Sequence, residues 1–164
     1  MFIAHMPAGY LLTRYIQRKT GNQSRHVMWF GLIASIFPDI DLLYFFLVDR
    51  RSTEHHHYVT HLPLAWLALG ATAWLVMSIL KERRYLIFLG VALANLMLHM
   101  VLDSIAATIY WLAPFSNVGV DLINVTAHYD WWVWSFVLHW TFMLEILIII
   151  IALHVGTKPC KKTY

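Results

Sequence analysis

Long apolar stretches broken by short polar clusters dominate the chain. Residues 27–48 (VMWFGLIASIFPDIDLLYFFLV) carry only Asp39 and Asp41 as charges, and residues 62–80 carry none. Residues 86–112 carry only Asp103, and residues 131–155 only Glu145. Each stretch is long enough to cross a hydrocarbon core of about 30 Å at 1.5 Å per residue, so each predicts a transmembrane helix. Residues 1–13 are apolar but short, which predicts a half-inserted or re-entrant segment. The pattern therefore predicts an all-α integral membrane bundle, with about four transmembrane helices and an N-terminal half-inserted helix.

Composition agrees. Hydrophobic residues make up 60% of the chain and charged residues 13%, against about 25% charged in a typical soluble domain. A length of 164 residues fits one domain, 1–164, rather than two. One cysteine, Cys160, excludes an internal disulfide framework. The N-terminus lacks the basic n-region of a cleavable signal peptide.

The net charge of +3 matters through its placement. Arg14, Arg18, Lys19 and Arg25 precede the first full span, and Lys81, Arg83 and Arg84 separate the second and third. Lys158, Lys161 and Lys162 follow the last. If the spans alternate, these ten of the twelve basic residues share one side and only Arg50 and Arg51 face the other. The positive-inside rule then predicts a cytoplasmic C-terminus, with loops 49–61 and 113–130 outside. Basic residues distributed in this way do not predict nucleic-acid binding. Trp111, Trp131, Trp132 and Trp134 flank the 113–130 loop and read most simply as an interfacial belt.

Candidate chemistry lies where the spans break their own rule. An ionisable group at a helix centre costs about 2.5–3.5 kcal/mol even on the mild insertion scale. Asp39 and Asp41 sit in the first full span, His99 and Asp103 in the third, and His5 in the N-terminal segment. His55, His56, His57 and His61 cluster before the second span. Counted along ideal helices from the cytoplasmic edge, Asp39 lies about 20 Å deep, His99 about 21 Å and His5 about 13 Å. The groups are compatible with one pocket between the midplane and the outer leaflet. His139, Glu145 and His154 are explained by helix–helix hydrogen bonding.

Spacing refines the reading. His99 and Asp103 are four apart and share a helix face. Asp39 and Asp41 are two apart, roughly 200° around an ideal helix, unless Pro38 breaks that helix. A broken helix at membrane depth is tolerated where it lines a protein cavity. Several imidazoles beside carboxylates suggest a zinc-type His/Asp centre, where a metal-activated water could act as nucleophile. The chain lacks a nucleophile elbow, a Gly-rich phosphate loop and a redox cysteine pair.

His5, Pro38-Asp39-Ile40-Asp41, a His-rich segment ending Thr60-His61, and His99-Met-Val-Leu-Asp103 occur in that order. This combination resembles the YdjM-like family of inner-membrane proteins, described as metal-dependent hydrolases. Trp111-Leu-Ala-Pro114-Phe115-Ser116 resembles the family's Trp-Pro-Phe-Ser-type segment, so the likeness covers roughly residues 1–120. The family's central motif reads His-Arg-x-x-Thr-His. That aligns His56 with its first histidine and puts His57 where arginine is usual.

The resemblance implies a metal-dependent hydrolase of the inner membrane, with a His/Asp pattern similar to that of zinc-dependent phospholipases C. It implies one or more divalent metals, zinc first, on His5, Asp39, Asp41, His56, His61, His99 and Asp103. Seven candidates exceed the ligand number of one catalytic zinc, so either several ions or supporting roles are expected. Asp41 is the expected proton acceptor, and His57 a second-sphere or substrate-facing group. On an ideal helix His57, not His56, would share a face with His61, so the choice of His56 assumes that it lies in a loop. Membrane lipids are the expected partners, and a lipid or lipid-linked phosphoester reaching the site from the outer leaflet is the expected substrate. A metal or proton transporter, or a non-catalytic metal-binding membrane protein, is the competing expectation.

Overall fold

A computed structural model describes residues 3–50, 55–123, 125 and 131–157. Among these residues the fold is all-helical, apart from one isolated antiparallel bridge between Ile109 and Val120. The helices are α1 (His5–Thr20), α2 (Arg25–Ile36), α3 (Asp41–Leu47), α4 (Pro63–Ile79), α5 (Leu86–Asp103), α6 (Trp132–Val137) and α7 (Thr141–Thr157).

Local chemistry sets the boundaries. Gly21 ends α1 with φ of 71°, the left-handed conformation that glycine adopts without a Cβ clash. Arg18 and Lys19 complement the negative end of the same helix. Ser24 opens α2 by accepting the His26 N–H on its side chain. The Gln17 side chain donates to the Ser24 carbonyl at 2.8 Å and ties the α1–α2 hairpin together. Pro63 occupies the first turn of α4, where its missing N–H costs nothing.

Helices α1, α2 and α5 pack on one another, α4 packs on α5, and α7 packs on α1. Two glycines permit the closest approaches. A Cβ on Gly9 would meet Ser35 Cβ, and one on Gly31 would meet Thr13 Oγ1.

The distribution of polarity is inverted relative to a water-soluble domain. His5, Thr13, Gln17, Ser35, Asn95, His61, His99, Asp103 and Glu145 are buried. Trp29, Ile33, Leu43, Leu47, Ile79, Met143 and Leu153 are exposed. So much exposed apolar surface marks a membrane or partner surface.

Three features differ from the sequence expectation. Helix α5, with the 3-10 turn Arg83–Tyr85 before it, is long and apolar enough to cross a membrane, but it ends at Asp103 rather than continuing to residue 112. Beyond it Ile109 exchanges both backbone hydrogen bonds with Val120, and Leu122 N–H bonds the Ser104 carbonyl, so the apolar residues after 103 serve a folded loop. The 131–155 stretch is split by a turn at 138–140 into α6 and α7. The first full span is two helices bent by 55° at Pro38, the break that the proline allowed. Helix α1 extends past the apolar part of its segment, to Thr20. Helices α4 and α7 are apolar but shorter, at 17 residues each. Of the basic positions used for orientation, Arg51, Lys158, Lys161 and Lys162 lie outside the described residues.

Candidate metal centre

The break at Pro38 builds one wall of the site. Proline lacks the N–H that would continue the helix, and α2 gives way to a 3-10 turn over Pro38–Ile40. Asp39 sits in this turn and Asp41 begins α3. A helix end leaves its last carbonyls open. The Ser35 carbonyl lies 2.8 Å from His99 Nδ1. A carbonyl only accepts, so Nδ1 of His99 carries the proton and donates, and the lone pair is on Nε2.

His61 is prepared in the same way. It ends the 3-10 turn Val59–His61, and its Nδ1 donates to Asp41 Oδ2 at 2.7 Å. Thr60 Oγ1 also donates to Asp41 Oδ2. Histidines that ligate metals characteristically donate their other ring N–H to a carboxylate or backbone carbonyl, which fixes tautomer and orientation. Upstream, Tyr58 donates to Asp49 Oδ2 at 2.7 Å and pins the loop before His61 to the end of α3. Desolvation and this hydrogen bond push the Tyr58 phenol up to about 12, so it remains a neutral donor at physiological pH.

His5 is positioned through α7. Alanine at position 4 cannot cap α1 with its side chain, and the buried Glu145 of α7 does so instead. Glu145 Oε2 accepts the N–H groups of Ile3 and Ala4 at 2.6 and 3.0 Å. A carboxylate there satisfies open donors and the positive end of the helix together.

These supports aim side chains at one point. His99 Nε2 is 3.0 Å from Asp103 Oδ2, and His5 Nε2 is 3.1 Å from Asp103 Oδ1. Asp39 Oδ1 lies 3.8 Å from His61 Nε2 and 3.7 Å from His99 Nε2, and Asp39 Oδ2 lies 3.7 Å from His5 Nδ1. His61 Nε2 and His56 Nε2 lie 3.8 and 4.0 Å from Asp103 Oδ2. The His5 and His99 rings stack with centroids 3.8 Å apart. His5, His61, His99 and Asp103 are buried, while Asp39 remains 30% exposed and His56 23%.

The chain belongs to the YdjM inner membrane protein family. The family model matches residues 1–163. No curated protein and no solved structure matches the chain.

Within this family member the donor set fits a divalent cation. Ligands at about 2.0–2.1 Å around a tetrahedral ion stand roughly 3.3 Å from one another. The Nε2–carboxylate separations here are 3.0–4.0 Å, several too long for hydrogen bonds and suited to a shared cation. Nε2 of His99 and both ring nitrogens of His5 are buried without an acceptable hydrogen bond. Three groups of donors could each hold an ion: His5, His99 and Asp103; Asp39, His61 and His99; His56, His61 and Asp103.

Every candidate from the sequence lies in or beside this cluster, in different roles. His56, not His57, stands with His61 and Asp103, because residues 55–61 form two 3-10 turns rather than one α-helix. His57 instead packs against Tyr110, with ring centroids 4.5 Å apart. Both line a cavity of about 490 Å³ with Leu62, Ala113, Pro114 and Asn117. Asp41 lies outside the three donor groups and holds His61. His139 contacts Thr141 Oγ1 at 2.9 Å, before α7. Sequence reasoning missed the Ser35 carbonyl, Thr60 as a partner of Asp41, and the link from Glu145 to His5. Only the first had a local signal, the proline three residues after Ser35.

Proposed function

We propose that this inner-membrane protein is a metal-dependent hydrolase acting on a phosphoester of a lipid or lipid-linked substrate. The observation that carries the reading is the convergence of Nε2 from His61 and His99, each with Nδ1 already engaged, on the carboxylates of Asp39 and Asp103. His5 and His56 would complete the ligand set. Nitrogen and oxygen donors with imidazole in the majority favour zinc. When bound, such a cation supplies Lewis-acid polarisation of a phosphoryl oxygen and lowers the pKa of water.

The chain's own residues do the rest. Asp41 accepts from His61 and Thr60 through one oxygen, so its first task is to fix the His61 tautomer. Asp39 is the carboxylate with more access to solvent and is the better placed to accept a proton from water. The cavity beside His57 and Tyr110 would receive the polar head group, with Asn117 offering amide hydrogen bonds.

The lipid character of the substrate is supported by the exposed apolar faces of the helices. We read α2 with α3, α4, α5 and α7 as four spans. In this reading the C-terminus is cytoplasmic and the site opens toward the outer leaflet, as the basic residues direct.

A transport reading draws on one observation. Buried Asn95 and Thr13 are bonded at 3.0 Å, and Gln17 is buried one turn further along α1. This polar column contains no ionisable group, and Gly31 packs tightly against Thr13. Hydrolysis is therefore preferred.

The test is release of head group or phosphate from phosphatidylglycerol vesicles by zinc-loaded protein, with bis(p-nitrophenyl) phosphate as a soluble probe. Turnover by the wild type, lost on the order of 100-fold or more in His99→Ala, is expected. Ion flux into sealed vesicles without turnover of either probe would favour transport instead.

A further inference from the structure

We infer that the cavity beside His57 and Tyr110 selects an uncharged, polyhydroxylated ring, a sugar or cyclitol, as the head group of the lipid substrate. The inference rests on the phosphoester reading above and adds the chemical class of the group that the phosphate carries.

The cavity begins where the His/Asp cluster ends. His57 follows His56, Leu62 follows His61, and both line it. The facing wall is the loop after α5, which contributes Tyr110, Ala113, Pro114 and Asn117. Local hydrogen bonds fold that wall before any ligand arrives. Just before Tyr110, Ile109 exchanges backbone bonds of 3.0 and 2.9 Å with Val120, and just after it Trp111 Nε1 donates to Ser104 Oγ at 2.9 Å. A Cβ on Gly119 would stand 3.3 Å from the Tyr110 ring, so the glycine leaves that ring its place. The His57 and Tyr110 rings open at 56° rather than stacking, which makes a wedge.

Charge decides what the wedge can hold. None of the described lining residues is Lys, Arg, Asp or Glu. The chain carries no Lys or Arg between Arg84 and Lys158, so the loop offers no cation to a second phosphate or to a carboxylate. An anion taken from water without such a partner is strongly disfavoured. An ammonium head group calls for a carboxylate or for several aromatic faces. The described lining has one tyrosine, and the loop's acid, Asp121, is exposed and outside the cavity.

The lining offers instead a phenol hydroxyl and an amide, which between them donate and accept, set beside Leu62, Ala113 and Pro114. Hydroxyl groups also donate and accept, so a polyol satisfies both at its edge. The C–H face of a ring then lies on the tyrosine and the apolar wall. At about 490 Å³ the cavity is within the range that encloses whole small molecules, and it has more room than glycerol fills.

The experiment compares head groups. Zinc-equilibrated, full-length protein is assayed on phosphatidylcholine vesicles holding equal fractions of phosphatidylinositol, phosphatidylglycerol, phosphatidylserine or phosphatidylethanolamine. The kcat/KM for phosphatidylinositol should exceed that for the serine and ethanolamine lipids by on the order of tenfold, with phosphatidylglycerol between them. Tyr110→Ala should shrink this ratio by about tenfold, whereas Tyr110→Phe, which keeps the ring, should hold it within about threefold. A general loss of activity cancels in the ratio. Saturation-transfer NMR with inositol monophosphate reads contact without turnover, and its ring protons should receive magnetisation from the wild type but not from Tyr110→Ala. Thermal unfolding checks that each variant folds. Asn117→Ala, at the exposed rim, should also shrink the ratio and replaces a tyrosine variant that does not fold.

Equal turnover of the four lipids, or preference for the serine, ethanolamine or glycerol head group, would overturn the inference. So would a ratio unchanged in Tyr110→Ala. Magnetisation transfer that depends on Tyr110, without turnover of any phosphoester, would uphold the inference and reject the proposed hydrolysis alone. Turnover confined to bis(p-nitrophenyl) phosphate, without transfer, would do the reverse. Absence of both would remove both readings.

Discussion

His61 and His99 present the same nitrogen to the site because each gives away the other, to Asp41 and to the Ser35 carbonyl. Removing such an outer partner characteristically costs 10–100-fold in metal affinity. Asp41→Asn should therefore weaken zinc binding by about that factor, read by competition with a fluorescent zinc chelator, while the metal-free protein keeps its helical circular dichroism. Unchanged affinity would separate Asp41 from the centre. Glu145 acts further away, through two backbone N–H groups that set the start of α1. Glu145→Ala should destabilise the fold by about 2 kcal/mol, typical of a lost hydrogen bond to a charged group, and weaken zinc binding through a loosened His5. Thermal unfolding and zinc competition read the two effects separately. The Asp and His residues of the apolar stretches were legible in the sequence because they violate hydropathy. The Ser35 carbonyl had only the indirect signal of Pro38, and Glu145 had none, since a contact 141 residues apart leaves no local trace.

At the scale of elements, the site depends on two helices meeting closely and one breaking. Gly9 lies against Ser35, the residue whose carbonyl orients His99. Gly9→Ala should push α1 from α2, cost about 1–3 kcal/mol as overpacking does, and lower zinc affinity. A variant with wild-type thermal stability and affinity would show that the approach is not needed. Pro38 announced the break in the first span, because a missing N–H is written in the residue itself. The end of α5 was hidden, because Ile105, Ile109, Trp111 and Leu112 continue the apolar pattern into a loop. Hydropathy reports what a residue prefers to be buried in, not which backbone partner it takes. The pairing of His56 with His61 was correspondingly ambiguous on helical spacing. It follows from the 3-10 turns at His55–His57 and Val59–His61.

For the whole molecule, polar side chains gather inside and apolar ones face out, as expected of an inner membrane family. The proposed orientation makes its own prediction. With Cys160 replaced by serine, Asn117→Cys should react with a membrane-impermeant maleimide in intact cells. A Gln23→Cys variant should react only after permeabilisation. The reverse labelling would invert the topology and turn the site toward the cytoplasm. The central claim, that the buried His/Asp cluster is a metal centre, is tested most directly by metal content together with stability. Protein purified in detergent without added metal should carry zinc or another divalent ion. A chelator should lower its unfolding temperature, and Asp39→Ala and His99→Ala should carry less metal and respond less. Wild-type protein that is free of metal, with an unfolding temperature indifferent to both zinc and chelator, would contradict it.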